Sequence, residues 1–296
     1  MGLQILNIFQ GAAELGLVYA VLSLGLYISY SVLNFPDLSV DGTFPMGGAI
    51  TAVCIVAGVN PWLCLIISFA FGAVAGSITG LIHVKLKVTN LLSGILMMTA
   101  LYSINLAVIA KRSNIALFTS PTIFNGRLAA LLPGKVSKLL ILLLCAAVIK
   151  LLFDLYMKTK SGMILRACGA NEQLVKSMNV DSGKVKMLGL AIANGFVSTS
   201  GSLFCQYNMN FDLSTGTGSM VIGLASVIIG LTILRKIKFA NDTTKVIFGA
   251  IVYYLCISIA LFIGLDPRLL KLITATLFLV ILIFNNNILK GVKEDA

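Results

Sequence analysis

Few side chains in this chain of 296 residues have the type and spacing to do chemistry. Lys150 and Asp154 stand four apart, where a helix brings opposite charges together. Glu14 and the single His83 lie near the ends of apolar segments. Groups so placed pair with one another or reach for the membrane interface; deeper in a bundle they would relay protons. The six cysteines, Cys54, Cys64, Cys145, Cys168, Cys205 and Cys256, show no CxxC or CxxH spacing. They read as small apolar residues and indicate neither a disulfide framework nor a metal site. GxxxxGK[ST], HExxH and GxSxG are all missing, so the chain shows no phosphate-cradling loop, zinc pair or nucleophile elbow. The reading is of a protein without catalytic residues or cofactor, one that moves a substance and does not convert it.

The elements that carry these residues must lie in lipid. Hydrophobic residues make up 58% of the chain, charged ones 11%, and the mean hydropathy is +0.99. Soluble domains carry roughly 25% charged residues, so most of this surface must face a bilayer. The fold class is all-α, a polytopic membrane bundle. The net charge of +11 is assigned to anionic lipid headgroups and not to nucleic acid. No basic n-region precedes the first apolar run, which argues against a cleaved signal.

A hydrocarbon core about 30 Å thick needs about 20 helical residues. That ruler predicts spans at 12–33, 43–58, 62–82, 89–110, 139–157, 187–206, 219–234, 244–263 and 269–288. One re-entrant or interfacial segment would change the total, so the expectation is eight to ten spans in a single domain over 1–296. Small-residue stripes, Gly72, Gly76 and Gly80 among them, suit either a dimer or gating interface or packing within the bundle.

The longest polar interruption lies at 157–187. It carries Lys158, Lys160, Arg166, Lys176, Lys184 and Lys186 against Glu172 and Asp181. Short loops this basic remain on the cytoplasmic side, which places the N-terminus outside and the C-terminus inside. Lys and Arg then divide about two to one in favour of the inner segments. Within the loop Asn171 suits a helix N-cap, Glu172 the positive end of the helix dipole, and Asn179 a left-handed C-terminal residue. Leu174, Val175 and Met178 are expected on one face, as a lever gripped by a cytoplasmic partner or as one helical turn in a solvated loop.

A phrase repeats. Asn34-Phe35-Pro36-Asp37-Leu38-Ser39 precedes an apolar run containing Gly47 and Gly48, and Asn210-Phe211-Asp212-Leu213-Ser214 precedes another containing Gly223. The first is assigned to the inner side and the second to the outer. Broken segments in corresponding, oppositely oriented positions point to an inverted repeat around a pathway, here along 34–58 and 207–230.

The loop sequence Arg166-Ala167-Cys168-Gly169-Ala170-Asn171 resembles the cytoplasmic loop of permease subunits of ABC importers of the branched-chain amino-acid and ribose type. Tyr19-Ala20, Gly25, Asn34-Phe35, Gly47-Gly48-Ala49, Asn194-Gly195 through Gly201, and Gly216-Thr217-Gly218 are similar to that family too. Asn179 replaces its usual Gly, Gly230-Leu231 replaces its Gly-Gly, and a basic insert, RKIKFANDTTK, follows. The pattern is also similar to a subgroup that works with binding proteins for aromatic amino acids.

The resemblance implies a pair of permeases, two ABC ATPase subunits and an extracytoplasmic solute-binding protein. Residues 169–180 would then be the coupling helix, with Arg166, Gly169, Asn171, Glu172, Leu174, Val175, Met178 and Asn179 its working residues. Asn34, Asp37, Gly47 and Gly48 would lie along the path. Gln206, Asn208, Asn210 and Asp212 would meet the solute or the binding protein, or else serve as helix-end caps. The solute would be a small one, first an amino acid. The alternative is an ion-gradient-driven secondary transporter, which needs acidic groups inside the membrane.

Overall fold

In the computed structural model the described residues are 2–109, 114–126, 136–235, 237, 241–264, 266, 269, 272–280 and 282–283, with side chains from residue 7 onward. Helices α1 (Gly2–Leu26), α2 (Val40–Val56), α3 (Pro61–Leu86), α4 (Asn90–Val108) and α5 (Ser137–Lys158) come first. Two short helices, α6 (Lys160–Ala170) and α7 (Glu172–Ser177), lead into α8 (Ser182–Asn208), α9 (Ser219–Ile233) and α10 (Asp242–Phe262). A π-helical turn, Tyr27–Val32, continues α1, and a 3-10 turn, Leu213–Gly216, precedes α9.

Among the described residues seven helices are long and apolar enough to cross a membrane, and α2, at 17 residues, is a shorter eighth. The expected span at 269–288 falls partly outside the described residues, of which 272–280 are helical. Of the basic insert at 235–245, residues 236 and 238–240 fall outside them, and 242–245 form the first turn of α10. Among the described residues the strands are two three-residue segments, β1 (Asn114–Ala116) and β2 (Asn210–Asp212), antiparallel with Asn114 opposite Asp212. They tie two loops together at the end of the bundle opposite α6 and α7.

Helices α1 and α8 form the centre, each 78% buried along its most apolar stretch, whereas α3, α4, α5 and α10 turn mostly outward. The core helix α8 is the least apolar span, at mean hydropathy 1.3 against 2.4 for α5. This inversion follows from the solvent: lipid rewards apolar exteriors and leaves polar atoms to find partners inside. On α8, Ser198 Oγ donates to the Ser68 carbonyl at 2.8 Å, Ser68 Oγ donates to the Ser198 carbonyl at 2.9 Å, and Ser200 Oγ donates to the Val18 carbonyl at 2.7 Å.

Small residues let these backbones meet. A Cβ on Gly47 would lie 1.8 Å from the Ser198 carbonyl oxygen, so only glycine permits this crossing of α2 and α8. The stripe Gly72, Gly76, Gly80 likewise packs on α8, against Asn194, Leu190 and Met187. It serves the bundle's interior and is not free to make a dimer interface.

Candidate functional site

The short helices make a knuckle at one end of the bundle. Thr159 caps α6, and Asn171 in extended conformation (φ −154°) breaks it from α7. Asn171 Oδ1 accepts the amides of Gln173 at 3.0 Å and Leu174 at 3.2 Å, and Asn179 at φ 58° ends the turn in the left-handed region. The expected single helix over 169–180 is therefore two. Gly169 belongs to α6, where a Cβ would meet the Val32 carbonyl at 1.7 Å, so this glycine seats the knuckle on the end of α1.

The expected three-residue face is also corrected. Leu174 and Met178 are 51% and 62% exposed, but Val175 is 1% exposed and turned into the protein. In a helix of six residues the 100° step puts 174 and 178 together and 175 a third of a turn away, toward the bundle. Val175 is an anchor, and the outward pair is Leu174 and Met178.

Glu172 locks the knuckle to α8. Its carboxylate contacts Lys186 Nζ at 2.6 Å and Lys176 Nζ at 2.9 Å and accepts from Ser182 Oγ at 3.0 Å. Hydrogen bonds from Lys186 and Lys176 hold its pKa down at about 2, from an ordinary 4.5. A depressed carboxylate contributes stability fully above the ordinary value and loses it as pH falls toward the folded one. The attachment should thus be insensitive to pH above 4.5 and loosen from there to 2. Glu172→Gln should reproduce the acid state at neutral pH, read as several-fold faster limited proteolysis between Ser177 and Lys184. Unchanged cleavage would refute the lock. Arg166 is exposed on α6 and lines a polar cavity of about 370 Å³ with Tyr27, Asp154 and Asp242.

The second constellation lies within the bundle. Asn34 is left-handed (φ 52°) and exposed, and from there the chain runs without helix to Ser39. Asp37, 0% exposed, accepts the Ser39 amide at 2.9 Å and Asn194 Nδ2 at 2.8 Å, and Ser39 Oγ donates to Asn194 Oδ1 at 3.2 Å. Asn194 lies twelve residues beyond Ser182, the start of α8. At 1.5 Å per residue that is about 18 Å along α8, near the middle of this 27-residue helix and opposite Gly72 in the middle of α3. The first repeated phrase therefore does not stay at the inner surface as expected: it reaches the middle of the bundle.

The two phrases do the same local work. As Asp37 accepts the Ser39 amide, Asp212 Oδ1 accepts the Ser214 amide at 2.8 Å, and each Asp-Leu-Ser leads into a short helix, α2 or α9. The two helix starts are joined by Asp41. Its carboxylate takes the Gly218 amide at 3.0 Å, the Ser219 hydroxyl at 2.9 Å and the Met220 amide at 2.8 Å, satisfying the open donors at the start of α9. Asn105 Nδ2 of α4 donates to the Gly42 carbonyl beside it at 3.0 Å.

Other expected path residues serve the scaffold. Gly47 and Gly48 pack against α8 and the Phe211 ring. Gln206 is fully buried, its amide accepting from Ile123 N at 3.1 Å and donating to the Pro61 carbonyl at 3.2 Å, so it braces loops instead of facing outward. Asn208 is exposed at the end of α8, Asn210 pairs with Ala116 in the strand ladder, and Asp212 caps the 3-10 turn.

Sequence reasoning missed Asp41, Ser39 and Asn194 as one centre. The signal was present in Asp37 and Asp41, two acids four apart at the mouth of an apolar run, but a hydropathy ruler assigns such acids to the loop before the span. Of the charges flagged near span ends, Lys150 pairs with Asp154 at 2.7 Å, and Glu14 accepts from Tyr207 Oη at 2.9 Å. His83 Nδ1 lies 2.8 Å from the Val88 carbonyl.

A multi-span helical bundle with a broken-helix centre and a basic terminal knuckle is the architecture of a membrane permease. The model of the family described as "Branched-chain amino acid transport system / permease component" matches residues 8–282, and the chain belongs to that family. It is 40% identical to a tyrosine transport system permease protein of Clostridioides difficile, over 95% of this chain and 92% of that one. A protein of Methanocaldococcus jannaschii named "Probable branched-chain amino acid transport permease protein LivH" is 28% identical over 84% of this chain and 81% of its own length. The ribose import permease protein of Escherichia coli is 24% identical over 67% of this chain and 61% of its own. No solved structure matches. The chain is an ABC-type permease for solute import, a multi-pass membrane protein.

Proposed function

We propose that this chain is the membrane subunit of an ATP-driven importer of an amino acid, delivered by an extracytoplasmic binding protein and powered by separate ABC ATPase subunits. The knuckle is cytoplasmic, the β1–β2 end is outside, the N-terminus lies outside and the C-terminus inside. One observation carries the reading: Leu174 and Met178 stand exposed on a support fixed through Gly169 to α1 and through Glu172 to α8. Exposed apolar side chains on a rigid, basic base suit a groove on a partner. A push there would reach the helices that hold the break at Asp37 and Asp41. Arg166, Asn171 and Asn179 shape the knuckle, and Asn208 and Asp212 lie where a binding protein would dock.

The amino-acid assignment rests on the tyrosine permease relative, with aromatic and branched-chain solutes first. Reconstitution with a candidate ABC ATPase and solute-binding protein tests the reading. Uptake of tyrosine, phenylalanine or leucine should require ATP and the binding protein. The buried carboxylate of Asp37 and the half-buried one of Asp41 are what an ion-coupled secondary transporter would use. Uptake that followed an imposed proton or sodium gradient without ATPase would establish that reading in place of the first.

A further inference from the structure

The lipid-facing surface of α5 ends abruptly. From Leu140 to Leu155 its exposed side chains are all apolar, and Lys158, less than one turn further on, is charged and exposed. Such a change marks the edge of the hydrocarbon. At that level lies the polar cavity of about 370 Å³, walled by the π-helical end of α1, the last turn of α5, the start of α10 and helix α6. Tyr27, Asp154, Lys158, Arg166, Asp242 and Lys245 are among its lining residues.

The charges around it do not balance. Lys150 contacts Asp154 at 2.7 Å, and Thr243 Oγ1 donates to the other oxygen of that carboxylate at 2.8 Å. Lys245 contacts Asp242 at 2.9 Å, and the Tyr27 hydroxyl lies 3.4 Å from its second oxygen. Each acid is thus matched by a cation, whereas among the described residues no carboxylate pairs with Arg166 or Lys158. Two positive charges line one cavity with nothing to offset them. A zwitterion would need a free carboxylate for its ammonium group, and both acids are taken; an anion needs only what is left.

We propose that this cavity binds a phosphate group, gripped by the Arg166 guanidinium with Lys158 beside it. A guanidinium presents paired N–H donors that match two phosphate oxygens, and a lysine ammonium adds a point charge. Two sources supply that chemistry at the edge of a bilayer, the headgroup of an anionic phospholipid and free phosphate. The cavity joins α6 to α1, α5 and α10, so a bound phosphate would brace the base of the knuckle. The site does not depend on what the protein carries or on what powers it.

The test places the full protein in nanodiscs of phosphatidylcholine alone, of a three-to-one mixture of phosphatidylcholine and phosphatidylglycerol, and of phosphatidylcholine with inorganic phosphate in the buffer. A ligand of the folded form stabilises it by mass action, so a filled site should raise the melting temperature by about 4 °C over phosphatidylcholine alone. A rise with phosphatidylglycerol only would assign the lipid headgroup, and a rise in the inorganic phosphate arm would assign free phosphate. No rise in either would overturn the proposal. Arg166→Gln combined with Lys158→Gln should remove the rise yet melt like the native protein in phosphatidylcholine alone, because both side chains are exposed and without an ion pair. Lys85→Gln combined with Lys87→Gln takes two charges from the end of α3, outside this cavity, and should keep the rise. If the first pair of substitutions left the rise intact, or the second pair abolished it equally, general surface charge would be its cause and the site would fall. Where the lipid arm shows the rise, native mass spectra should find one phosphatidylglycerol more on the native protein than on the Arg166→Gln, Lys158→Gln variant; equal retention would refute the lipid as ligand.

Discussion

Leu174→Asp combined with Met178→Asp is expected to release the permease from its ATPase and to abolish uptake while leaving the protein folded. Central apolar anchors of an interface contribute about 2 kcal/mol or more each when truncated, which is roughly a 30-fold loss of affinity per residue. Two carboxylates facing an apolar groove would exceed that. Both positions are exposed, so thermal stability in detergent should hold within about 0.5 kcal/mol. Val175→Asp should behave in the opposite way. Its side chain is 1% exposed, and a charge there has no partner, so yield and melting temperature should fall before any binding is measured. Affinity purification of the ATPase, beside a melting curve, separates the two outcomes. Normal recovery of the ATPase by the double variant would disprove the docking role.

Asp37→Ala is expected to be the most damaging single change within the bundle. It strands the buried Ser39 amide and one N–H of the Asn194 side chain, whose other N–H keeps the Leu190 carbonyl, at about 1–3 kcal/mol apiece. The loss of about 2–6 kcal/mol is a large part of a typical folding free energy. Asp37→Asn should be milder, because its carbonyl oxygen still accepts one of the two donors. Thermal melting of the three proteins in one detergent checks the order. If Asp37→Ala melted with the native protein, the Asp37–Ser39–Asn194 centre would be an accessory to the fold.

The effect of such changes on transport follows from position. Asp37 fixes the approach to α2, and Asp41 fixes the start of α9 against it. In the importer proposed above, any movement of α2 against α9 would pass through this contact, and a ligand or nucleotide would shift it only through contacts that differ between two states.

Class and outline were legible in the composition and in local pattern. Apolar runs of about 20 residues admit one answer in lipid, because an unpaired backbone has no water to turn to. Asn171 as a cap and Asn179 as a left-handed stop are likewise local: the groups involved lie within three residues of each other along the chain. The repeated Asp-Leu-Ser phrase was visible for the same reason, since each Asp accepts from an amide two residues on.

Tertiary structure alone decided which polar groups meet at a distance. Asp37 finds Asn194, and Asp41 finds Gly218 and Met220, across more than 150 residues. It also turned Val175 inward, drew Gln206 into the scaffold, and spent Gly47 and Gly76 on the contact with α8. The physical reason is one of range. Hydropathy and capping act over a turn or two, and they were written in neighbouring residues. The inside of a bundle in lipid is chosen by close packing and by pairing of polar groups between helices, and those partners are neighbours only after the chain has folded.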